Sequence, residues 1–126
     1  MARLLLVDDE PDLLDVVAET LRARGHEVEA CTCGRDARAR IAGPTTLDAA
    51  ILDWSLPDVS GRDLLLDLEA RQPQAKVIIV TGYGESIVSA SLVNDRVLAV
   101  IRKPFRLREI LAILDSLADG TKNDLR

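Results

Sequence analysis

LLLVDDEPDLL, residues 4–14, sets four apolar residues directly before Asp8, Asp9 and Glu10, and closes that acidic triplet with Pro11. A short apolar run bounded by polar residues reads as a buried strand. A proline just beyond it suits the first turn of a helix, where its missing N–H costs nothing. The stretch therefore reads as strand, turn and helix. Its three carboxylates repel one another, so the turn needs either open solvent or a cation.

Outward from this stretch the same alternation recurs. Apolar runs rich in Val, Ile and Leu occupy 4–7, 47–52, 77–80 and 97–101, with a weaker one at 26–31. Helical spacing fills the intervals. Residues 12–24 carry Leu13, Leu14, Val16, Val17 and Leu21, with Gly25 as the stop. Residues 35–42 end at Gly43-Pro44, and 61–72 carry Leu64, Leu65 and Leu68 before Pro73. Residues 106–118 carry Leu107, Ile110, Leu111, Leu114 and Leu117, with Gly120 placed to end them. The weakest helix is 85–94, where Ser86, Val88, Ser89, Ser91 and Val93 have middling propensity, and it is expected to be mobile. Five strands alternating with five helices predict an α/β fold, a doubly wound parallel sheet covered by helices on both faces. In such sheets ligands bind outside the carboxyl ends of the strands.

Composition narrows the function. The 126 residues, 48% of them apolar, suit one domain with one core. Sixteen Lys and Arg against 21 Asp and Glu leave a net charge of -5, which argues against this chain gripping a nucleic-acid backbone directly. No apolar segment is long enough for a membrane span, and the N-terminus does not read as a signal peptide, so a cytoplasmic location is expected. Cys31 and Cys33 stand one residue apart, too close for an ordinary structural disulfide. With His26 as the sole histidine there are too few soft ligands for zinc. The cysteines are read as small residues at a strand end, and His26 as a strand residue.

The residues that end the apolar runs carry the chemistry. They are Asp8-Asp9, Asp53, Thr81 and Lys103-Pro104. Singly, each has a plain reading: a carboxylate can cap a helix, a threonine can sit in a turn, a lysine can be a solvated charge. Together they bring three acids, one hydroxyl and one ammonium to one sheet edge. In the flavodoxin-like strand order 2-1-3-4-5, strands one and three are about 4.8 Å apart, so Asp9 and Asp53 can share an ion. Strand five lies roughly 10 Å from strand three, a gap that a lysine stem can largely cross. Clustered hard oxygens with room for water suit Mg²⁺. Without an ion, at least one carboxyl pKa should rise. Lys103 and Thr81 would cradle a phosphoryl group, and Asp53 is a candidate nucleophile.

With "LLLVDDEPDLL", "AAILDWSLPDVSG", "VIIVTGYG" and "VIRKPF" in this order, the chain resembles the receiver domain of two-component response regulators over residues 1–119, leaving 120–126 as a polar tail or the start of a linker. The resemblance implies that Asp53 takes a phosphoryl group from a sensor histidine kinase, a phosphotransfer protein or a small phosphodonor. It implies Mg²⁺ held by Asp8, Asp9, Asp53 and the backbone carbonyl of Trp54. Thr81 and Lys103 would contact the phosphoryl oxygens, and the Lys103-Pro104 peptide would be cis. Ser55 and Tyr83 occupy positions that modulate dephosphorylation, Tyr83 as a shield. The domain would catalyse its own phosphoryl uptake and slow loss without being a turnover enzyme. Its output domain or target protein is not readable, and homodimerisation through the helices at 85–94 and 106–118 is left open.

Two features depart from the family pattern. The position three before the lysine, commonly Tyr or Phe, is Val100, which is too short and too stiff to swing inward. The small-residue stretch before strand five is replaced by Asp95-Arg96-Val97. The expected readout therefore rests on Thr81 and the 85–94 helix. Trp54, Tyr83 and Phe105 either shape the site or merely roof the strand ends. A haloacid-dehalogenase-like phosphatase would want an acid at the Ser55 position and lacks it. A phosphorylation-independent interaction module of the same fold remains the alternative. A nucleotide binder is disfavoured, because no Gly-rich loop follows strand one.

Overall fold

Along β1 (Arg3–Val7) the side chains alternate between two apolar layers, and that alternation organises the molecule. Leu4 and Leu6 face α1 (Pro11–Ala23) and the C-terminal helix α4 (Leu107–Asn123), packing with Leu14, Val17, Leu21, Ile110 and Leu114. Leu5 and Val7 face α2 (Gly34–Ala42) and α3 (Gly61–Arg71), packing with Ile41, Leu64, Leu65 and Leu68. Because both faces are covered, β1, β3 (Ala49–Asp53) and β4 (Lys76–Thr81) are apolar almost throughout. The computed structural model describes residues 2–82 and 96–123, with side chains described through Ser116.

With β2 (Glu27–Cys31) and β5 (Val97–Arg102), the strands form one parallel sheet in the order β2-β1-β3-β4-β5, as the sequence predicts. Leu6 is paired with Ala30 on one side and Ile51 on the other, so the carboxyl ends of β1 and β3 fall side by side. Four of the five expected helices are present; the fifth, at 85–94, lies outside the described residues. α4 runs through Gly120 to Asn123 where an end at Ala118 is expected, since one interior glycine costs only about 1 kcal/mol. Val16 is exposed, contrary to its place in the expected stripe. It lies about 200° round the helix from Leu14, and Ala18 is buried in its stead. His26 precedes β2 instead of belonging to it, and its Nδ1 accepts a hydrogen bond from the Ala2 N–H at 3.1 Å.

Two close approaches shape the loop that follows β3. A Cβ on Gly61 would lie 2.4 Å from Trp54 Cε3, and one on Gly34 would lie 2.5 Å from Val59 Cβ, so only glycine fits at either place. Asp58 completes the clamp. Cys33, at the N-cap of α2, offers the helix no side-chain bond, and both Asp58 carboxylate oxygens instead accept from Gly34 N and Arg35 N at 2.9 Å. These bonds lower the Asp58 pKa. Ser60 caps α3 by accepting from Asp63 N. Both cysteines are free, and burial raises the Cys31 thiol pKa. Among the described residues, no helix is long and apolar enough to cross a membrane.

Candidate functional site

The carboxyl ends of β1, β3, β4 and β5 deliver the predicted residues to one edge. Asp8 directly follows β1, where its N–H donates to the Cys31 carbonyl and its Oδ1 accepts from Glu10 N at 2.9 Å. Asp53 ends β3 and is buried, with Oδ1 accepting from Ser55 N at 3.0 Å. Trp54 N donates to Val80 O, which carries the ladder one residue past the strand. Thr81 ends β4 fully buried, and its carbonyl accepts from Lys103 N at 2.8 Å. The lysine leaves the sheet next to the threonine as a result. The Lys103-Pro104 peptide is cis.

Lys103 spans the site. Its Nζ lies 3.2 Å from Asp8 Oδ2, 3.5 Å from Asp53 Oδ2 and 2.8 Å from Glu10 Oε1. Burial pulls the ammonium pKa down, but the hydrogen bond to Glu10 and the charges of Asp8 and Asp53 outweigh it, so Lys103 holds its proton more tightly than usual. The acids feel the opposite imbalance. Burial raises the Asp8 pKa against the Glu10 N–H and Lys103, and Asp53 adds to the rise. Asp9 is also raised, by desolvation and then by the neighbouring Asp53 carboxyl. One lysine does not compensate these crowded negative charges.

A divalent cation would. Oxygens of Asp8, Asp9 and Glu10 lie within 4.8 Å of one another, and the donor set is entirely hard oxygen. Burial first, and then the Asp53 carboxyl, raises the Asp8 and Asp9 pKa values, and a hard divalent cation would offset both causes, so the residues present fit Mg²⁺. Asp53 adjoins this group through the neighbouring Asp9 carboxyl.

Of the remaining predicted positions, Ser55 is exposed with its N–H on Asp53, and Trp54 is half-buried over the α2 and α3 layer. Val100 is half-buried against that same layer. Tyr83 lies outside the described residues. Phe105 lines a cavity of about 380 Å³ with Glu10, Leu13, Lys103 and Pro104. Glu10 is the residue that sequence reasoning missed as a lysine partner. The signal was present as the third acid of the triplet, but nothing local says which carboxylate a lysine 93 residues away will meet.

The family model of the response regulator receiver domain matches residues 4–115. The chain belongs to the response regulator receiver domain family. A relative is the response regulator SaeR of Staphylococcus epidermidis, 31% identical over 120 residues, which cover 93% of this chain and 50% of that protein. The receiver domain thus spans about half the length of the curated relatives it matches. A CheY-like receiver domain protein from Methanospirillum hungatei has a TM-score of 0.84 and 31% identity, covering 98% of both chains. A Burkholderia pseudomallei response regulator, solved with a phosphorylated aspartic acid, calcium ion and citrate, has a TM-score of 0.79 and 26% identity over 98% of this chain and 72% of that one. Receiver domains are signalling switches.

Proposed function

We propose that Asp53 accepts a phosphoryl group from a phosphohistidine of a sensor kinase or phosphotransfer protein, in a Mg²⁺-dependent reaction. The observation that carries this is a carboxylate buried at a strand end with an ammonium 3.5 Å away. An Asp53 carboxylate oxygen attacks phosphorus, and the P–O bond forms as the bond to the donor nitrogen breaks. Lys103 draws charge from the transferred oxygens, and Thr81 donates a hydroxyl hydrogen bond to them. Asp8, Asp9, Asp53 and the Trp54 carbonyl would hold the Mg²⁺, which neutralises charge on the phosphoryl oxygens when bound. Ser55 and Tyr83 tune access of water to the acyl phosphate. The phosphorylated aspartic acid of the Burkholderia relative supports the assignment.

Phosphorylation changes the local charge by only about one unit, since a group of about -2 replaces a carboxylate. Its output is therefore a population shift of about 1–3 kcal/mol in the face of β5 and α4, which controls a downstream domain or target. Residues 1–119 form the switch unit and 120–126 lead out of it. The setting is cytoplasmic, and pairing of two copies through that face is part of the same reading.

The test is intact mass after incubation with Mg²⁺ and a small acyl phosphate. A gain of one phosphoryl group by wild type and none by Asp53→Asn is expected. The second reading, a phosphorylation-independent interaction module, is favoured by one observation, Val100 in place of an aromatic rotor. No mass gain and no response of Trp54 fluorescence to Mg²⁺ would select it.

A further inference from the structure

Four charged side chains meet at Lys103 Nζ, and its three carboxylate partners differ sharply in burial. The Asp8 and Asp53 side chains are 8% and 3% exposed, whereas Glu10 is 60% exposed and makes the shortest contact, 2.8 Å. Removing a cation from a buried carboxylate strands a charge in low dielectric. Removing it from an exposed one costs little, because water takes its place. Glu10 also borders the cavity formed with Leu13, Pro104 and Phe105, so its freed carboxylate would have solvent to enter. Of the three contacts, the shortest is therefore the cheapest to break.

The geometry points to Glu10 as a positioning residue: it is the counter-ion that parks Lys103 at the rim of the site, and that Lys103 leaves when a phosphoryl group arrives on Asp53. This rests on the phosphoacceptor reading of Asp53. In the resting state Lys103 reaches Asp53 only at 3.5 Å, the outer limit of a hydrogen bond. Any phosphoryl group must therefore compete with Glu10 for the ammonium. The competition raises the threshold for phosphoryl retention and keeps the lysine charged and close.

The consequence is measurable with beryllium trifluoride, a phosphoryl mimic, in the presence of Mg²⁺, read through Trp54, the sole tryptophan. Glu10→Gln keeps the shape, removes the charge and should tighten the mimic roughly two- to fivefold, the range set by a half-exposed ion pair. Asp12→Asn removes an equal charge from the exposed first turn of α1 and controls for general electrostatics. It should shift the mimic by less than half as much. Mg²⁺ alone should bind Glu10→Gln no more tightly than wild type. Equal mimic affinities in wild type and Glu10→Gln, or an Asp12→Asn effect as large, would overturn the role. A tenfold loss of Mg²⁺ affinity in Glu10→Gln would also overturn it, by making Glu10 a metal ligand. If wild type itself takes up no mimic although Mg²⁺ binds, the phosphoacceptor reading fails and this role with it.

Discussion

The two ends of the same parallel sheet are built on opposite principles. At the amino-terminal end, where α3 hands over to β4, two side chains satisfy a group of backbone donors and acceptors. The buried Gln72 side chain accepts from Leu47 N and donates to the carbonyls of Ile41 and Thr45. Arg96 donates to the carbonyls of Gln72, Pro73 and Ala75, tying the start of β5 to the same turn. At the carboxyl end, Asp8, Asp9, Glu10 and Asp53 crowd around one lysine, and two of them have raised pKa values. One end spends its polar groups on stability; the other holds charge in excess, which a metal and a phosphoryl group can exploit. The difference also explains the unusual Arg96. It occupies a stretch where small residues are customary because there it caps the α3 turn.

Substitutions at the two ends should therefore differ in sign. The largest effect is expected for Gln72→Leu, which strands one buried N–H and two carbonyls and should cost about 3–4 kcal/mol. Urea unfolding would show the midpoint fall, while Mg²⁺ affinity stays at the wild-type value. Asp9→Asn at the other end should do the reverse. Removing a carboxylate that the fold disfavours should leave the metal-free protein as stable as wild type or more so. Mg²⁺ at a hundred times its Kd should add about 2.7 kcal/mol to wild type and much less to the variant. A metal-free Asp9→Asn protein that melts well below wild type would show that the acidic edge is not in excess charge.

How much of this was legible in the sequence divides along the same line. β1, β3 and β4 could be placed because parallel strands buried on both faces leave continuous apolar runs, whereas the edge strand β2, with Glu27 and Glu29, left only a weak one. Asp8, Asp53, Thr81 and Lys103 were legible because strand ends in such a sheet converge on one edge. The links made by single side chains across long loops were not. Asp58 caps a helix 24 residues earlier, and Gln72 pins a loop 25 residues earlier. In each case the partner is a backbone N–H or carbonyl, which no residue type advertises. Glu10 was read as one acid of three because choosing among adjacent carboxylates depends on their relative burial. Val16 was misplaced by its apolar type, although helical spacing alone sets it about 200° from Leu14.

The smallest effect concerns His26, a titratable group at the matched end. Its Nδ1 accepts the Ala2 N–H, which requires that nitrogen to be unprotonated. Burial lowers its pKa, with the Asp115 charge opposing. The unfolded chain then takes up a proton at a higher pH than the folded one. The contribution is fully present above the unfolded value of about 6.5 and is lost as pH falls through the folded pKa. Asp8 and Asp9, with raised values, act in the other direction, since their penalty grows as pH rises through the carboxylate range. Comparing wild type with His26→Gln cancels those shared groups, because glutamine can accept the Ala2 N–H without titrating. The difference in melting temperature should change by on the order of 1–2 °C between pH 7 and pH 5, in favour of His26→Gln at the lower pH. Two parallel curves would mean that the Ala2 contact contributes nothing to the fold, and that the matching of this end resides in Gln72 and Arg96 alone.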